Sequence, residues 1–316
     1  MSILKTIYSQ KVLVILIGMV IFASVSSPYF LKVQNLTYLV TQLSIFGIMA
    51  LAMTYVVLNK EFDLSIGAVM AFSGIFMVKL IPHTGTILAI ILTLLLGVVI
   101  GLITGFLIAF LGLNSFVVTL CAMFFYNGLA LSVSDGRPAS AQDPILNYIS
   151  AGTFLSIPNL IVMLIVLSVI ADYILRKTKY GRNIYAVGGD EQVARLTGIS
   201  VRFYKISVFV ISSVAATLAG ILLTGMLNSA SPFVGSDAAL TVISAVVIGG
   251  TSLAGGEGSI PKTLMGLFIL GILDNLLGLL NVHSFYQTFI LGALLVFVIG
   301  WDFYSRSKKQ VLAAAH

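Results

Sequence analysis

Residues 33–59, 84–134, 144–171, 206–236 and 275–301 of this chain contain no aspartate, glutamate, lysine or arginine. Roughly 20 consecutive apolar residues suffice for an α-helix to cross the hydrocarbon core of a bilayer, and each of these runs is long enough for at least one crossing. Composition agrees, with 59% hydrophobic and 9% charged residues. A soluble globular domain usually carries about 25% charged residues, so that class is excluded and the chain belongs in a membrane.

The pattern predicts an all-α polytopic membrane protein of about ten transmembrane helices, some short or broken. The expected spans are 12–30, 36–58, 64–81, 86–111, 114–133, 158–175, 206–228, 238–254, 263–281 and 284–303. The 84–134 run is too long for one helix, and Gly112, Leu113 and Asn114 supply the turn that divides it. Residues 1–316 are read as a single transmembrane domain with one large polar loop at 176–205. The first apolar run follows only Lys5 and Lys11 and lacks a small-residue cleavage site, so it is expected to be a retained span. With both termini cytoplasmic, fourteen of the seventeen basic residues fall inside, and only Lys32, Lys79 and Arg137 fall outside. This is the positive-inside bias of short membrane loops.

The net charge of +6 does not indicate nucleic-acid binding, because the basic residues sit in short loops beside spans with no basic helix interleaved with stacking aromatics. Cys121 is alone, which excludes a disulfide framework and a cysteine metal site. His83, His283 and His316 are scattered, and the chain has no nucleophile elbow or zinc helix, so no catalytic site and no metal site are expected. Residues 256–263 have the spacing of a phosphate loop, but Pro261 stands where that motif needs glycine. No ATP site is expected on this chain.

Several polar positions stand out against the apolar background. Glu61 and Asp63, spaced i, i+2 at the end of one apolar run, are followed by Ser65; the same pattern fits a plain cytoplasmic turn with an aspartate near a helix N-terminus. Five glycines between 249 and 258, around Thr251, predict non-helical backbone, which is tolerated at membrane depth only when protein or a water-filled cavity surrounds it. Asp274 falls inside the ninth span, where a carboxylate faces the bundle interior or an aqueous path unless a neighbour such as Asn275 satisfies it. With Asn114 and Asn228, these residues (Glu61, Asp63, Ser65, Thr251 and Asp274) are the candidate lining of a translocation pathway, able to bond solute hydroxyls or to satisfy bent backbone. Asp172 and Arg176 are spaced for an i, i+4 ion pair. Gly97, Gly101 and Gly105 form a small-residue stripe that lets another helix approach, within the subunit or at a dimer seam.

The 176–205 loop carries seven basic and two acidic residues, a net +5 in a chain of net +6. Within it Asp190 is a good N-cap, residues 191–197 follow as about two helical turns, and Gly198 is a C-terminal stop. Val193 and Leu196 fall on one face and Glu191 and Arg195 form an i, i+4 pair on another, while the flanking segments are expected to be loop-like. Such a helix suits docking into a groove on another protein, or lying on lipid headgroups.

Residues 180–199 resemble the cytoplasmic loop of permease subunits of bacterial ATP-binding-cassette importers of the ribose/xylose type. Residues 62–67, 136–138, 245–253 and 275–287 are similar to that family as well. The resemblance implies a bacterial inner-membrane, multi-pass permease that works as a pair with a second copy or a paralogue. It implies a cytoplasmic ATPase that holds ATP and Mg, and an extracytoplasmic solute-binding protein. The coupling element would include Gly181, Arg182, Gly188, Gly189, Asp190, Glu191, Val193, Ala194, Arg195, Leu196 and Gly198. The solute expected from the resemblance is a monosaccharide such as a pentose or hexose. Relatives commonly read Gly-Gly-Ile-Asp-Leu-Ser where this chain has residues 60–65, they carry acidic residues at the positions of Ala239 and Thr241, and they have an amide at Asp274. Those departures keep a nucleoside, a riboflavin-like molecule or a furanosyl signalling molecule as alternatives. A proton-coupled secondary transporter using Asp63 or Asp274 is the rival from another class.

Overall fold

The computed structural model describes residues 11–283 and, beyond them, 285–290, 292, 293, 296 and 300. The helices are α1 (Lys11–Ser26), α2 (Val33–Leu58), α3 (Ile66–Thr84), α4 (Thr86–Ala109), α5 (Ser115–Ser134), α6 (Pro144–Ala151), α7 (Asn159–Lys177), α8 (Lys179–Gly189), α9 (Glu191–Leu196), α10 (Val201–Leu227), α11 (Ala238–Ile248) and α12 (Ile260–Leu279). Four two-residue strands form two small antiparallel ladders: β1 (Ala139–Ser140) with β4 (Ser229–Ala230), and β2 (Thr153–Phe154) with β3 (Ile157–Pro158).

Among the described residues, seven helices (α2, α3, α4, α5, α7, α10 and α12) are long and apolar enough to cross a membrane, and α1 and α11 are shorter apolar helices. The chain is thus a multi-pass helical protein. Of the tenth expected span, 284–303, the described residues 285–290, 292, 293, 296 and 300 are helical, and the rest lie outside the described residues, as do Lys5 and the basic tail at Arg306, Lys308 and Lys309.

α2 is apolar along most of its length and becomes the central post, buried from Leu43 to Leu58 at every position but Phe46. A helix without a polar face has no side to give to water, and α7, α10, α11 and α12 pack against it. The glycine stripe on α4 packs inside the subunit: a Cβ at Gly97, Gly101 or Gly105 would meet Thr217, Val210 or Ile206 of α10. The divide at 112–114 is as expected, with Gly112 at φ +68° and Asn114 capping α5 by accepting from Phe116 N and Val117 N.

One crossing differs from expectation. In place of a helix over 238–254, only Ala238–Ile248 is helical, and residues on both sides are extended or turned. Ala230 lies near Gly74, whereas a Cβ at Gly67 would strike the Gly235 carbonyl oxygen, so residues 230–235 descend alongside about two turns of α3, or roughly 10 Å. Gly235 has φ +81° and sits against the Gly67 backbone and Met70. Glycine is used there for both conformation and contact. Irregular backbone at this depth is sheltered by α3 and α10, the condition under which a bilayer tolerates it.

The connections gather by side. Residues 59–65, 178–200 and 249–259 meet at one end of the bundle, while Asn228, Ala139 and Asn147 meet at the other.

Candidate coupling and translocation site

The basic loop folds as two helices. The segment before Asp190, expected to be loop-like, is instead α8, capped by the Thr178 hydroxyl, which accepts from Gly181 N at 3.2 Å. Its glycines hide the helix from propensity but permit its packing. A Cβ at Gly181 would hit the carbonyl oxygens of Ile174 and Leu175, and one at Gly188 would hit the Leu58 carbonyl oxygen. Tertiary contact of this kind overrides the roughly 1 kcal/mol penalty of a helical glycine.

α9 forms where the capping residues place it. Asp190 Oδ1 accepts from Gln192 N and Val193 N at 2.8 and 3.0 Å, and Gly198 has φ +80° just past the end. Ala194 is the seated residue, packed with Val187 and Val201 over Ile199 and Tyr204. Val193 and Leu196 point outward at 55% and 87% exposure, beside exposed Arg195. Arg195 bonds Glu191 Oε1 at 2.9 Å, and the other carboxylate oxygen receives Lys205 Nζ at 2.9 Å. The hydrogen bond from Lys205 leads the effects that hold the Glu191 carboxyl below the ordinary glutamate value. Arg182, Gly189 and Gly198 are exposed on the same platform, whereas Gly181 and Gly188 are buried in it.

The 59–65 turn is arranged differently. Glu61 is buried and its Oε1 receives Lys205 Nζ at 2.9 Å. Asp63, 1% exposed, accepts from the Ser65 amide and hydroxyl through Oδ1 (2.9 and 2.6 Å) and from the Ser212 hydroxyl through Oδ2 (2.6 Å). Phe62 is held by the N-terminus of α5, its amide donating to Ser115 Oγ at 3.2 Å. Asp63 and Ser65 therefore occupy one another and α10 at the head of α3. An acceptor with three donors is satisfied without solvent.

The glycine-rich 249–258 segment closes the same end. Gly256 N donates to the Leu58 carbonyl at 2.9 Å, Tyr185 donates to the Gly258 carbonyl at 2.8 Å, and Gly255 sits between Gly188 and Lys60. Thr251 is buried against Gly258, and its hydroxyl, like the side-chain amide of buried Asn59, has no hydrogen-bond partner in the structure. Buried polar groups of this kind normally find a partner, so the junction is the one part of the site with unused bonding capacity at Thr251 and Asn59.

The remaining pathway candidates do not join this cluster. Asn114 caps α5 at an exposed turn, and Asn228, at φ +51° past α10, accepts from Asn147 Nδ2 at 3.1 Å at the opposite end of the bundle. Asp274 lies on an exposed position of α12. Its neighbour Asn275, considered above as its partner, instead exchanges two 3.0 Å hydrogen bonds with Asn35. The expected Asp172–Arg176 pair forms at 2.7 Å. Lys205 and Ser212 were not singled out by sequence, because their partners in the 59–65 turn lie 144 and 149 residues away and no local pattern signals them.

Residues 35–299 match the family described as branched-chain amino acid transport system / permease component. The chain is 39% identical over 287 residues to the ribose import permease protein RbsC of Bacillus subtilis, covering 90% of this chain and 89% of that protein. It is 35% identical over 310 residues to the ribose import permease protein RbsC of Haemophilus influenzae, covering 96% of each. It is also 35% identical over 302 residues to the L-arabinose ABC transporter permease protein AraH of Azospirillum brasilense, covering 95% of this chain and 89% of that protein. No solved structure matches. With a family match over most of its length and multi-pass helices to carry it, the chain belongs to this family of transport-system permease components.

Proposed function

We propose that this chain is the membrane-spanning subunit of an ATP-driven importer that carries a small polyhydroxylated solute, a pentose or hexose, into the cytoplasm across a bacterial inner membrane. The observation that carries the reading is near full-length similarity to permeases named for ribose and arabinose import. ATP and Mg would be held by a separate cytoplasmic ATPase, the solute would be delivered by an extracytoplasmic binding protein, and a second permease copy or a paralogue would complete the pathway. α9 is the coupling helix in this reading. Its apolar pair is turned away from the core that seats Ala194, which is what a groove-binding helix presents to a partner. Of the rival's titrating groups, Asp63 is already committed to three donors.

The test is reconstitution of the permease with its ATPase and binding protein in vesicles, with radiolabelled ribose and arabinose outside. Uptake that needs ATP inside and survives collapse of the proton gradient supports the importer. Uptake that follows the proton gradient and ignores ATP overturns it. Competition by unlabelled nucleoside or riboflavin, without competition by pentoses, would move the solute class.

A further inference from the structure

The Lys205 ammonium stands between two carboxylates that belong to different parts of the permease. Its Nζ is 2.9 Å from Glu61 Oε1 in the α2–α3 turn and 2.9 Å from Glu191 Oε2 in the first turn of α9. The inner side of this bridge is sheltered, with the Lys205 and Glu61 side chains 19% and 9% exposed and Glu191 at 41%. Seven residues along α10, two turns further and on the same face, Ser212 binds Asp63 of the same turn. α10 thus grips residues 59–65 at two points, by an ion pair near its start and by a hydrogen bond deeper in the bundle. Only the first grip reaches α9.

We propose that Lys205 is a positioning residue that transmits displacement of α9 into the 59–65 turn, and through it to the ends of α2 and α3. This rests on α9 being the ATPase-docking element. An exposed helix seated chiefly through Ala194 could slide over its bed without moving the spans beneath. A charged tie shortens that slack, because a shift of Glu191 must either drag Lys205 and Glu61 with it or leave a poorly hydrated charge without its partner. Arg195 holds the outer oxygen of Glu191 and fixes which oxygen faces Lys205. Asp63 acts as the anchor on which the turn pivots.

The permease–ATPase–binding-protein complex is the system in which to test this, with Glu61→Met, Lys205→Met and the triple reversal Glu61→Lys/Lys205→Glu/Glu191→Lys. Two quantities are read: ribose taken up per ATP hydrolysed in vesicles, and hydrogen exchange of amides 191–197 in the permease. Glu61→Met should retain the ATPase but lower uptake per ATP by about fivefold or more, the lower range of an allosteric coupling. It should also speed exchange in α9, which Glu61 does not itself touch. The triple reversal restores opposite charge at both Lys205 contacts but costs Arg195 its carboxylate, so it should recover uptake per ATP while exchange in α9 stays faster than in the wild type. Wild-type coupling together with wild-type α9 exchange in Glu61→Met overturns the proposal. If even the wild-type complex shows no ATP-dependent ribose uptake, the importer reading is what fails, and exchange in α9 still decides whether Glu61 holds it through Lys205.

Discussion

Two segments at the same end of the bundle invert the usual placement of polar and apolar groups. The 59–65 turn buries Glu61, Asp63 and Ser65, while α9 exposes Val193 and Leu196. Each arrangement costs free energy in isolation, since a buried charge must be paired and an exposed leucine forgoes burial. The turn meets the cost of its two carboxylates internally, with Lys205, Ser212 and Ser65 as donors, and leaves only the Asn59 side chain at its start without a partner. α9 has no such internal answer. A segment that satisfies itself is built to hold position, and one that leaves its apolar pair unsatisfied is built to be met by something else.

The comparison breaks most readily at Asp63. Asp63→Ala removes the acceptor of three donors and strands the Ser212 hydroxyl in the interior, so a loss of about 3 kcal/mol or more is expected, read as a fall in melting temperature in detergent or nanodiscs. An unchanged melting temperature would show that the turn is not a rigid hold. Next comes Gly188→Ala, which drives a methyl group into the Leu58 carbonyl and the Gly256 amide and should cost about 2 kcal/mol. Gly189→Ala, with nothing within 4 Å, should be neutral or slightly stabilising, so this adjacent pair reports whether α8 is seated by close backbone contact.

Smaller effects sharpen the α9 side. Asp190→Ala removes the cap and should cost about 1 kcal/mol, confined to faster amide exchange in residues 191–196. Acid should loosen the same helix. Because the folded Glu191 carboxyl lies below its ordinary value, its stabilisation is complete above that ordinary value and is lost as pH falls through the depressed folded-state value. Protection of the α9 amides, taken relative to their intrinsic exchange at each pH, should fall over that range in the wild type and show no such step in Glu191→Gln.

Much of this architecture was legible from local rules. Asp190 and Gly198 mark the two ends of α9, the i, i+4 rule pairs both Asp172 with Arg176 and Glu191 with Arg195, and the 97–105 glycines mark a helix contact. What escaped depends on partners distant in sequence. α8 contains three glycines, of which Gly181 and Gly188 lie against the carbonyls of Leu175 and Leu58, so propensity alone argues against a helix that these contacts permit. The non-helical 229–237 segment falls between the expected spans 206–228 and 238–254, with Pro232 and Gly235 as its local signals, but nothing local showed that it would lie along α3. Glu61 stood out as a charge at a span end. Only folding shows that Lys205 reaches it across 144 residues, which makes Glu61 one end of an ion bridge.

The central assignment, α9 as the surface met by the ATPase, is tested most directly by the double substitution Val193→Asp/Leu196→Asp. Both side chains are already in solvent, so the purified permease should keep its melting temperature while losing copurification with the ATPase and ATP-dependent ribose uptake. A double variant that retains the ATPase and transports ribose at the wild-type rate would contradict the assignment.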